Sequence, residues 1–544
     1  MQHYDYIIVG AGAAGCVVAN RLSANPKVSV CLIEAGGSDK SLWVKIPAGI
    51  FGLYGNKKYD YTYQGVPQKQ LNNRVITVNR GKGLGGSSSI NSMVYIRGNQ
   101  HDYDGWAALG CEGWSYQEVL PIFKDLERNL AGQDPAYHGF TGELNVVNPQ
   151  DINELARRFV QAGAAAKLPE NTDFNGEAQL GLGIYQVTQN QGVRVSSYTA
   201  FIEPIRQRPN LTILTNTEVF KLQITQDRVT GVELERDGVH SSLQCTREVI
   251  LSAGAIASPR ILLASGIGDQ DELKALGLEC KQHLPGVGEN LQDHIDSMVT
   301  VRSPQPVSIG LSWASVFPHI LPAPFQYGLK RKGWWTTNYV EAGGFAKTRY
   351  AEAAPLGSPA ADPDVQFHFT PIFRSYRGRK LEMGHGYSLF TCVLRPESKG
   401  CVKLANDGRF KNLLIDHNFF SAAADQKVLI EAVKKAREIL ASPVFDTVRG
   451  EEMAPTSRLQ SDEEILAYLR QTASTVFHPV GTCKMGVDAL AVVNPSDLKV
   501  KGMQNLRVID ASIMPKLISG NTSAPSMMIG EKGSRMILAE ACYA

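Results

Sequence analysis

Residues 4–15 read Tyr-Asp-Tyr-Ile-Ile-Val-Gly-Ala-Gly-Ala-Ala-Gly. The apolar run that ends at Val9 predicts a β-strand, and residues 16–22 continue at helical spacing. Between them, Gly10, Gly12 and Gly15 form a GxGxxG pattern. Glycines at this spacing allow a tight turn and let a pyrophosphate approach the backbone at the helix N-terminus. The stretch therefore predicts an ADP-binding unit.

An acidic residue completes this unit. A second apolar run, from Val28 to Ile33, ends on Glu34. A carboxylate at the end of the second strand can accept hydrogen bonds from both hydroxyls of an unphosphorylated ribose. The strand, helix and acid occur in the expected order, which favours a nucleotide site over an accidental glycine loop.

Composition excludes several classes of protein. The chain has 544 residues, 43% hydrophobic and 20% charged, with a net charge of +2, so we expect two domains and no nucleic-acid partner. Its nine cysteines include no CxxC pair, which argues against a zinc ribbon and a disulfide reductase and favours reduced thiols. We expect no metal site.

The hydropathy pattern predicts a cytoplasmic protein. The cofactor strand begins at Tyr4, which leaves no room for a signal segment before it. The longest apolar stretch, residues 249–267, is interrupted by polar residues, Pro259 and Arg260, so it is a poor membrane span. Residues 317–335 combine aromatic residues with Lys330-Arg331-Lys332 and could touch the inner face of a membrane. Such a stretch is more typical of a helix and loop that cover a pocket.

Alternating strand and helix patterns predict an α/β fold with a discontinuous, Rossmann-like nucleotide-binding domain. Three segments form this domain: 1–148, 192–301 and 476–544. Its strand candidates are residues 210–219, 248–255 and 506–511. Segments 149–191 and 302–475 form a substrate domain, for which patterns such as residues 365–369 predict an antiparallel sheet. Residues 425–440 read as an amphipathic helix within it.

A second glycine-rich loop covers residues 80–91, Arg-Gly-Lys-Gly-Leu-Gly-Gly-Ser-Ser-Ser-Ile-Asn. Its many backbone and hydroxyl donors can surround a phosphate or a flat ring at contact distance. A flexible linker is the alternative. The basic residues before the loop and the apolar residues 93–96 after it favour the binding role.

With this loop, the chain resembles the glucose–methanol–choline family of FAD-dependent oxidoreductases. The resemblance rests on residues 81–91 with Tyr95, Gly98 and Asp104 behind them, and on the motifs at 254–268, 286–294 and 477–482. It covers essentially the whole chain. It is greatest to the bacterial branch of choline dehydrogenases, aliphatic alcohol dehydrogenases and furfural-alcohol oxidases.

The resemblance implies FAD as the cofactor, in contact with all three nucleotide-binding segments. The implied contacts are Gly10, Gly12, Ala13, Ala14, Gly15, Glu34, Ala35, Gly85, Gly86, Ser87, Asn91, Met93, Val94, Val219, Ala253, Gly254, Asp510, Ala511 and Thr522. Among these, Val219, Ala253 and Gly254 are expected at the adenine, and Asn91, Met93 and Val94 at the isoalloxazine. Asp510 and Ala511 are expected at the ribityl-phosphate region. Some members attach the flavin through a histidine in the position that Ile90 occupies here, so we expect non-covalent FAD.

The resemblance also implies a catalytic pair, His478 and Asn521. Oxidation of an alcohol needs a base for the hydroxyl proton while the flavin takes a hydride. The pKa range of histidine suits the base, whereas an asparagine can only hydrogen-bond the substrate oxygen. A helix with Ser523 as its N-cap, running to about residue 541, would direct its positive end at the flavin. We expect His294 to be structural and His368 to be a core strand residue.

Several functions remain open at this point. The leading hypothesis is a primary-alcohol dehydrogenase that passes electrons to a quinone or another acceptor. The alternatives are an oxidase that uses O2 and releases H2O2, a choline dehydrogenase, and a non-redox flavoprotein similar to hydroxynitrile lyases. Choline would need an aromatic cage or a carboxylate. The candidates, which no spacing argument selects, are Trp334, Trp335, Phe373, Tyr376, Glu341 and Glu382. An apolar pocket for aliphatic or benzylic alcohols fits the middle segment equally well.

Overall fold

The computed structural model describes residues 3–355, 357–374, 381–407 and 412–543. In these residues the chain builds two large sheets, each with its own buried apolar cluster. The predicted two-domain α/β architecture is confirmed. Tyr376 lies outside the described residues.

The first sheet is the nucleotide-binding sheet. Its order is Leu211–Leu214, Val30–Ile33, His3–Val9, Val239–Leu251, Arg228–Arg236 and Thr217–Thr225, with Leu506–Val508 also paired to Val239–Leu251. Parallel pairing joins the strands His3–Val9, Val30–Ile33 and Leu211–Leu214, and it joins Val239–Leu251 to His3–Val9 and Leu506–Val508. Arg228–Arg236 pairs antiparallel with both Val239–Leu251 and Thr217–Thr225. The three predicted segments of the domain thus meet in one sheet.

Two strand predictions need correction. Residues 210–219 form two strands rather than one, because Asn216 adopts a left-handed conformation with φ of 52° and ends the extended run. The strand predicted at 248–255 begins earlier, at Val239, and ends at Leu251. Gly254, with φ of +83°, begins the helix Gly254–Ala264 instead.

The second sheet is antiparallel throughout. Its order is Ser474–Thr475, Ile295–Ser303, His385–Val393, Val365–Thr370, Ala342–Ala346 and Gly181–Ile184. Every residue of the two central strands is buried. The helix Ala423–Leu440 covers one face, two residues longer at its start than predicted. The predicted domain boundary at residue 301 falls within the strand Ile295–Ser303, and the division into domains otherwise stays a prediction.

Helices and small hairpins complete the fold. The longer helices are Ala13–Leu22, Gln100–Ala108, Tyr116–Leu126, Glu154–Ala162, Gly254–Ala264, Gln270–Ala275, Ala323–Lys330, Ala423–Leu440, Asp462–Thr472 and Ser523–Tyr543. The small strand pairs are Tyr63–Gln64 with Thr77–Val78, Glu127–Asn129 with Leu144–Val146, Gln189–Asn190 with Val193–Arg194, Ile267–Gly268 with Gln282–His283, and Cys401–Leu404 with Leu413–Asp416. The C-terminal helix packs along Ala13–Leu22, which joins the two ends of the chain.

Candidate active site

A cavity of about 1500 Å³ lies between the two sheets and is the candidate active site. Every predicted cofactor residue lines it except Gly15 and Gly85, and both His478 and Asn521 line it as well. Gly15 has a packing role instead, because a Cβ there would lie 1.9 Å from the carbonyl oxygen of Gly10. Gly85 donates its backbone N–H to Ala11 O at 2.8 Å and thereby joins the two glycine-rich loops.

The first glycine loop forms a cradle at one end of the cavity. Gly10 adopts φ of +102°, and a Cβ on it would lie 2.5 Å from the carbonyl oxygen of Ser252. The helix Ala13–Leu22 follows at once, and no side chain caps it at Gly12. Its first N–H groups and its positive end therefore face the cavity, an arrangement that binds phosphate groups.

Glu34 is buried at the same end, and its carboxylate accepts three backbone N–H groups. Oε2 accepts from Ala11 at 3.0 Å, while Oε1 accepts from Gly36 at 2.9 Å and from Gly83 at 3.0 Å. Burial raises the pKa of this carboxyl, and the three hydrogen bonds oppose that rise. Glu34 therefore holds both glycine-rich loops together, in addition to the predicted ribose contact, which stays a prediction.

Asp510 organises the C-terminal wall of the cavity. Its Oδ2 accepts from the N–H of Gly254 at 2.8 Å and from the hydroxyl of Ser258 at 2.6 Å, and its Oδ1 accepts from Ser512 N–H at 2.8 Å. This carboxylate thus fixes the start of the helix Gly254–Ala264 against the last segment of the chain. The sequence placed Asp510 at the cofactor, and the structure adds this anchoring role.

The backbone around His478 is held in an uncommon conformation. Phe477 has φ of +68°, in a region that non-glycine residues rarely adopt. Its N–H donates to Thr475 Oγ1 at 2.7 Å, and its carbonyl accepts from Arg80 Nη1 at 2.6 Å. Asp293 Oδ1 accepts the N–H of His478 at 2.8 Å. Contacts from three segments therefore fix the direction of the His478 ring.

The hydrogen bonds of the ring determine which nitrogen of His478 carries the proton. His294 Nε2 lies 3.1 Å from the carbonyl oxygen of Leu394, which can only accept, so Nε2 of His294 is protonated. Nδ1 of a neutral His294 is then an acceptor, and Nδ1 of His478, 2.9 Å away, must donate to it. Nε2 of His478 is consequently unprotonated and is a hydrogen-bond acceptor.

Both imidazoles are neutral in this environment. Burial lowers the pKa of His294 to about 4. The pKa of His478 lies well below its usual value, first because of burial and then because His294, His368 and Arg80 oppose a further positive charge. His478 can therefore accept a proton throughout the neutral pH range.

Asn521 contacts His478, and Gln366 orients it. Asn521 Nδ2 donates to His478 Nε2 at 3.2 Å, and Asn521 Oδ1 accepts from Gln366 Nε2 at 3.1 Å. The second hydrogen on Nδ2 is left for a ligand oxygen. The sequence does not single out Gln366, because apolar and polar residues alternate along Val365–Thr370 without showing which face is turned to Asn521.

Two further histidines, His294 and His368, lie close to His478, which the sequence did not indicate. His294 is a hydrogen-bonding residue as expected, but its partner is the candidate base. His368 lines the cavity beside Asn521. Burial and the neighbouring His294 lower the pKa of His368 to about 4. Only the folded sheet brings these two rings to His478.

The wall beyond His478 and Asn521 combines aromatic and charged side chains. It includes Val94, Tyr339, Phe373, Phe390 and Phe477, and the guanidinium groups of Arg302 and Arg374 lie 5.2 and 5.6 Å from the centroids of the Phe373 and Phe390 rings. Of the candidates for a choline site, Phe373 and Glu382 line the cavity, whereas Trp334, Trp335 and Glu341 do not. Glu341 instead accepts hydrogen bonds from Thr337 and Asn153, and burial raises its pKa to about 6.

The last helix begins at the cavity, as expected. It runs over Ser523–Tyr543, and Thr522, Ser523 and Ser526 line the cavity. Thr522, rather than the predicted Ser523, occupies the position before the first helical residue. The positive end of a 21-residue helix therefore lies beside Asn521.

Comparison with known proteins agrees with this geometry. The chain matches the GMC oxidoreductase family over residues 4–296 and again over residues 396–530. The chain belongs to the GMC oxidoreductase family. This membership assigns FAD as the cofactor and CH–OH groups as the donors that are oxidised.

Relatives of similar length lie within this family. An alcohol dehydrogenase (acceptor) from Pseudomonas putida is 44% identical over 538 residues, which cover 98% of this chain and 96% of the relative. An oxygen-dependent choline dehydrogenase from Photobacterium profundum is 37% identical over 539 residues, which cover 98% of this chain and 93% of the relative.

Solved structures share the whole fold. Pyridoxine 4-oxidase from Mesorbium loti superposes with a TM-score of 0.87 at 30% identity and covers 98% of this chain and 99% of its own. A variant of formate oxidase from Aspergillus oryzae, studied for its FAD modification, has a TM-score of 0.91 at 26% identity. The match covers 99% of this chain and 98% of the formate oxidase.

The residues of this GMC oxidoreductase fit FAD. The cavity runs from the glycine cradle and Glu34 to His478, and its volume accommodates a dinucleotide and a small substrate. In the described part of the chain, no cluster of His, Cys, Asp or Glu could hold a metal ion. Within the same residues, no helix is long and apolar enough to cross a bilayer.

We predict that Glu34→Ala lowers both FAD occupancy and the thermal unfolding temperature. The substitution leaves three buried N–H groups without an acceptor, which costs about 1–3 kcal/mol for each such group. Flavin absorbance per protein and thermal unfolding of the purified holoprotein measure the two effects. Glu177→Ala, at an exposed position, is the matched control. Unchanged occupancy in Glu34→Ala would show that the loops hold the cofactor without this carboxylate.

Proposed function

We propose that this GMC oxidoreductase oxidises a primary alcohol to an aldehyde, with His478 as the base and a quinone or another acceptor as the electron sink. The observation that carries the proposal is the hydrogen-bonded series from Leu394 O through His294 to His478. It leaves an unprotonated Nε2 on His478 at the cavity wall, within 3.2 Å of Asn521.

The chain's own residues account for the proton and for the position of the alcohol. When bound, FAD would take the hydrogen of the alcohol carbon as a hydride. His478 Nε2 accepts the hydroxyl proton, so that the O–H bond breaks as the C=O bond forms. The imidazolium keeps its Nδ1–H bond to His294. The free hydrogen on Asn521 Nδ2 donates to the alcohol oxygen and fixes its direction.

Surrounding structure favours the same reaction. The burial of His478 keeps water from the ring, which strengthens each hydrogen bond to the reacting oxygen. The positive end of the helix that begins at Ser523 stabilises negative charge that develops at this end of the cavity.

The aromatic part of the wall supports an aliphatic or benzylic primary alcohol. Val94, Tyr339, Phe373, Phe390 and Phe477 line the cavity and can bury hydrocarbon, while Arg302 and Arg374 line it as well. Choline is the second candidate substrate, because Asp296 is a buried carboxylate on the same cavity and a choline dehydrogenase is a full-length relative.

The acceptor is proposed from the relatives. The 44% identical alcohol dehydrogenase (acceptor) supports a quinone or a similar acceptor, while pyridoxine 4-oxidase supports O2 as the alternative. A non-redox activity similar to that of hydroxynitrile lyases is the remaining alternative, since it also needs only a base and a bound flavin.

We predict that anaerobic mixing of the holoprotein with a primary alcohol abolishes the oxidised-flavin absorbance. His478→Ala should slow this bleaching by about 10²–10⁴-fold, the usual contribution of a general base, and should retain its flavin. His240→Ala, at an exposed position, is the matched control. Butanol, benzyl alcohol and choline compare the substrate classes.

Three results discriminate among the alternatives. No bleaching with any alcohol would contradict an alcohol-oxidising function. Rapid recovery of the absorbance on admission of air would identify an oxidase, whereas recovery only with a quinone or dye would identify a dehydrogenase. A decrease of no more than about threefold in His478→Ala would mean that another residue is the base.

We further predict that His294 sets the protonation state of His478. Since the pKa of His478 lies well below its usual value, the bleaching rate should be constant at neutral and alkaline pH and fall only in acid. His294→Leu removes the acceptor for Nδ1–H, so the plateau should fall by about tenfold or more as the other tautomer becomes populated.

His294→Asn is the conservative control, because its amide oxygen can accept from Nδ1–H and restore much of the plateau rate. Flavin content and thermal unfolding of each variant show whether the fold is intact. A pH profile in His294→Leu identical to that of the unaltered protein would refute this role for His294.

We also propose that the flavin is bound non-covalently. Ile90 lines the cavity with a hydrocarbon side chain that offers no nucleophile. Acid precipitation should therefore release all of the yellow colour into the supernatant. Colour that stays with the precipitated protein would demonstrate a covalent link.

A further inference from the structure

A stripe of large apolar side chains is exposed on the segment before Lys330. Its members follow each other at intervals of four residues: Trp313, Phe317, Leu321, Phe325 and Leu329. Their exposed fractions are 87%, 76%, 55%, 71% and 82%. The segment is helical over most of its length, so each of these side chains is next to the one four residues away, and together they form a continuous exposed row. We call these five residues the outer stripe.

The opposite face of the same segment is anchored to the protein. Ser315, Ala323 and Tyr327 are buried. The His319 ring stacks on Trp334 with centroids 4.4 Å apart, and Tyr327 packs against Trp335 at 5.9 Å. The outer stripe is therefore on a segment whose other side packs against the protein. A surface helix of a water-soluble domain has the reverse arrangement, with polar residues outward.

Neighbouring segments extend the apolar surface. The turn Trp334–Thr336 contacts Pro47–Gly49, and next to these residues Leu42 and Trp43 are 61% and 57% exposed. On the other side, Leu311 bridges to Met383, whose side chain is 71% exposed. Isolated apolar residues on a surface need no explanation, but a contiguous group of this size indicates an interaction surface.

The charge next to the outer stripe is positive. Lys330, Arg331 and Lys332 follow it directly and are exposed. Residues 297–340 and 40–59 contain no Asp or Glu, although the whole chain has 53 acidic residues and a net charge of only +2. Asp151 approaches the edge, where it accepts the N–H of Gly333 at 2.6 Å, and Glu382 lies beside Met383.

We propose that the outer stripe and its basic border dock the protein on an anionic lipid membrane. Aromatic and leucine side chains enter the boundary between headgroups and acyl chains, while lysines and arginines bind lipid phosphates. A border in which Lys330, Arg331 and Lys332 outnumber the acidic Asp151 and Glu382 matches an anionic surface. The docking places one face of the protein at the membrane without a spanning segment, and it holds whichever alcohol or acceptor the enzyme uses.

Vesicle flotation of the holoprotein tests this surface. The unaltered protein should float with vesicles made of equal parts phosphatidylglycerol and phosphatidylcholine, and far less with pure phosphatidylcholine. Phe317→Ser with Phe325→Ser should lower the bound fraction by about tenfold or more. Lys330→Gln with Lys332→Gln should also lower it by about tenfold or more, and added salt should do the same to the unaltered protein.

Matched controls come from exposed residues of the other domain. Val239→Ser with Val487→Ser removes two apolar side chains that are 66% and 70% exposed. Lys27→Gln with Lys274→Gln removes two exposed charges. Both controls should bind vesicles as the unaltered protein does. Alcohol turnover with a soluble dye should be the same in all variants, since none of these residues lines the cavity.

Two outcomes would overturn the proposal. One is equal vesicle binding by the stripe variants and the controls. The other is an absence of vesicle binding together with sedimentation in which Phe317→Ser with Phe325→Ser converts an oligomer into a smaller species, because the stripe would then join copies of the chain. Vesicle binding and flavin bleaching are separate measurements, so a failure of one leaves the other intact.

Discussion

The buried carboxylate of Glu34 is the contact on which the cofactor end of this enzyme depends. It accepts N–H groups from Ala11, Gly36 and Gly83, which lie in three different loops. Glycine-rich loops lose more conformational entropy on ordering than other loops, and they have few side chains with which to hold a shape. One acidic side chain therefore supplies the order that the glycines lack. The predicted interaction of this acid with a ribose is compatible with that role, since a carboxylate has further acceptor positions.

At the other end of the cavity, burial and hydrogen bonding act together on His478. Removing the ring from water lowers its affinity for a proton, and the neighbouring His294 and His368 lower it further. The same neighbour, His294, orients the ring and fixes its tautomer. The consequence is a base that is always available but weak. Such a base is suited to a reaction in which proton removal and loss of hydride assist one another.

Short sequence patterns with a physical meaning predicted most of the fold and a set of residues that the structure brings to one cavity. The glycine spacing at 10–15 and the family motifs pointed to the two glycine-rich loops and to His478 and Asn521, whose roles stay predictions. The pairing of strands that are far apart in the sequence could not be predicted. The register that brings Gln366 and His368 to His478 exists only in the folded antiparallel sheet, because the alternation of apolar and polar residues in Val365–Thr370 does not show which strands lie beside it. A left-handed residue such as Asn216 also left no clear signal in the apolar run that it divides.

The order of strands in the first sheet has a consequence for the synthesis of the protein. The strand His3–Val9 pairs with Val30–Ile33 within a short distance along the chain, but its other neighbour, Val239–Leu251, is made more than two hundred residues later. The strand Leu506–Val508 and Asp510, which fixes the helix Gly254–Ala264, are made later still. Until then a hydrophobic strand edge is open to wrong partners. The first sheet is therefore complete only near the end of synthesis, and a cofactor that binds only the completed sheet stabilises it against such partners.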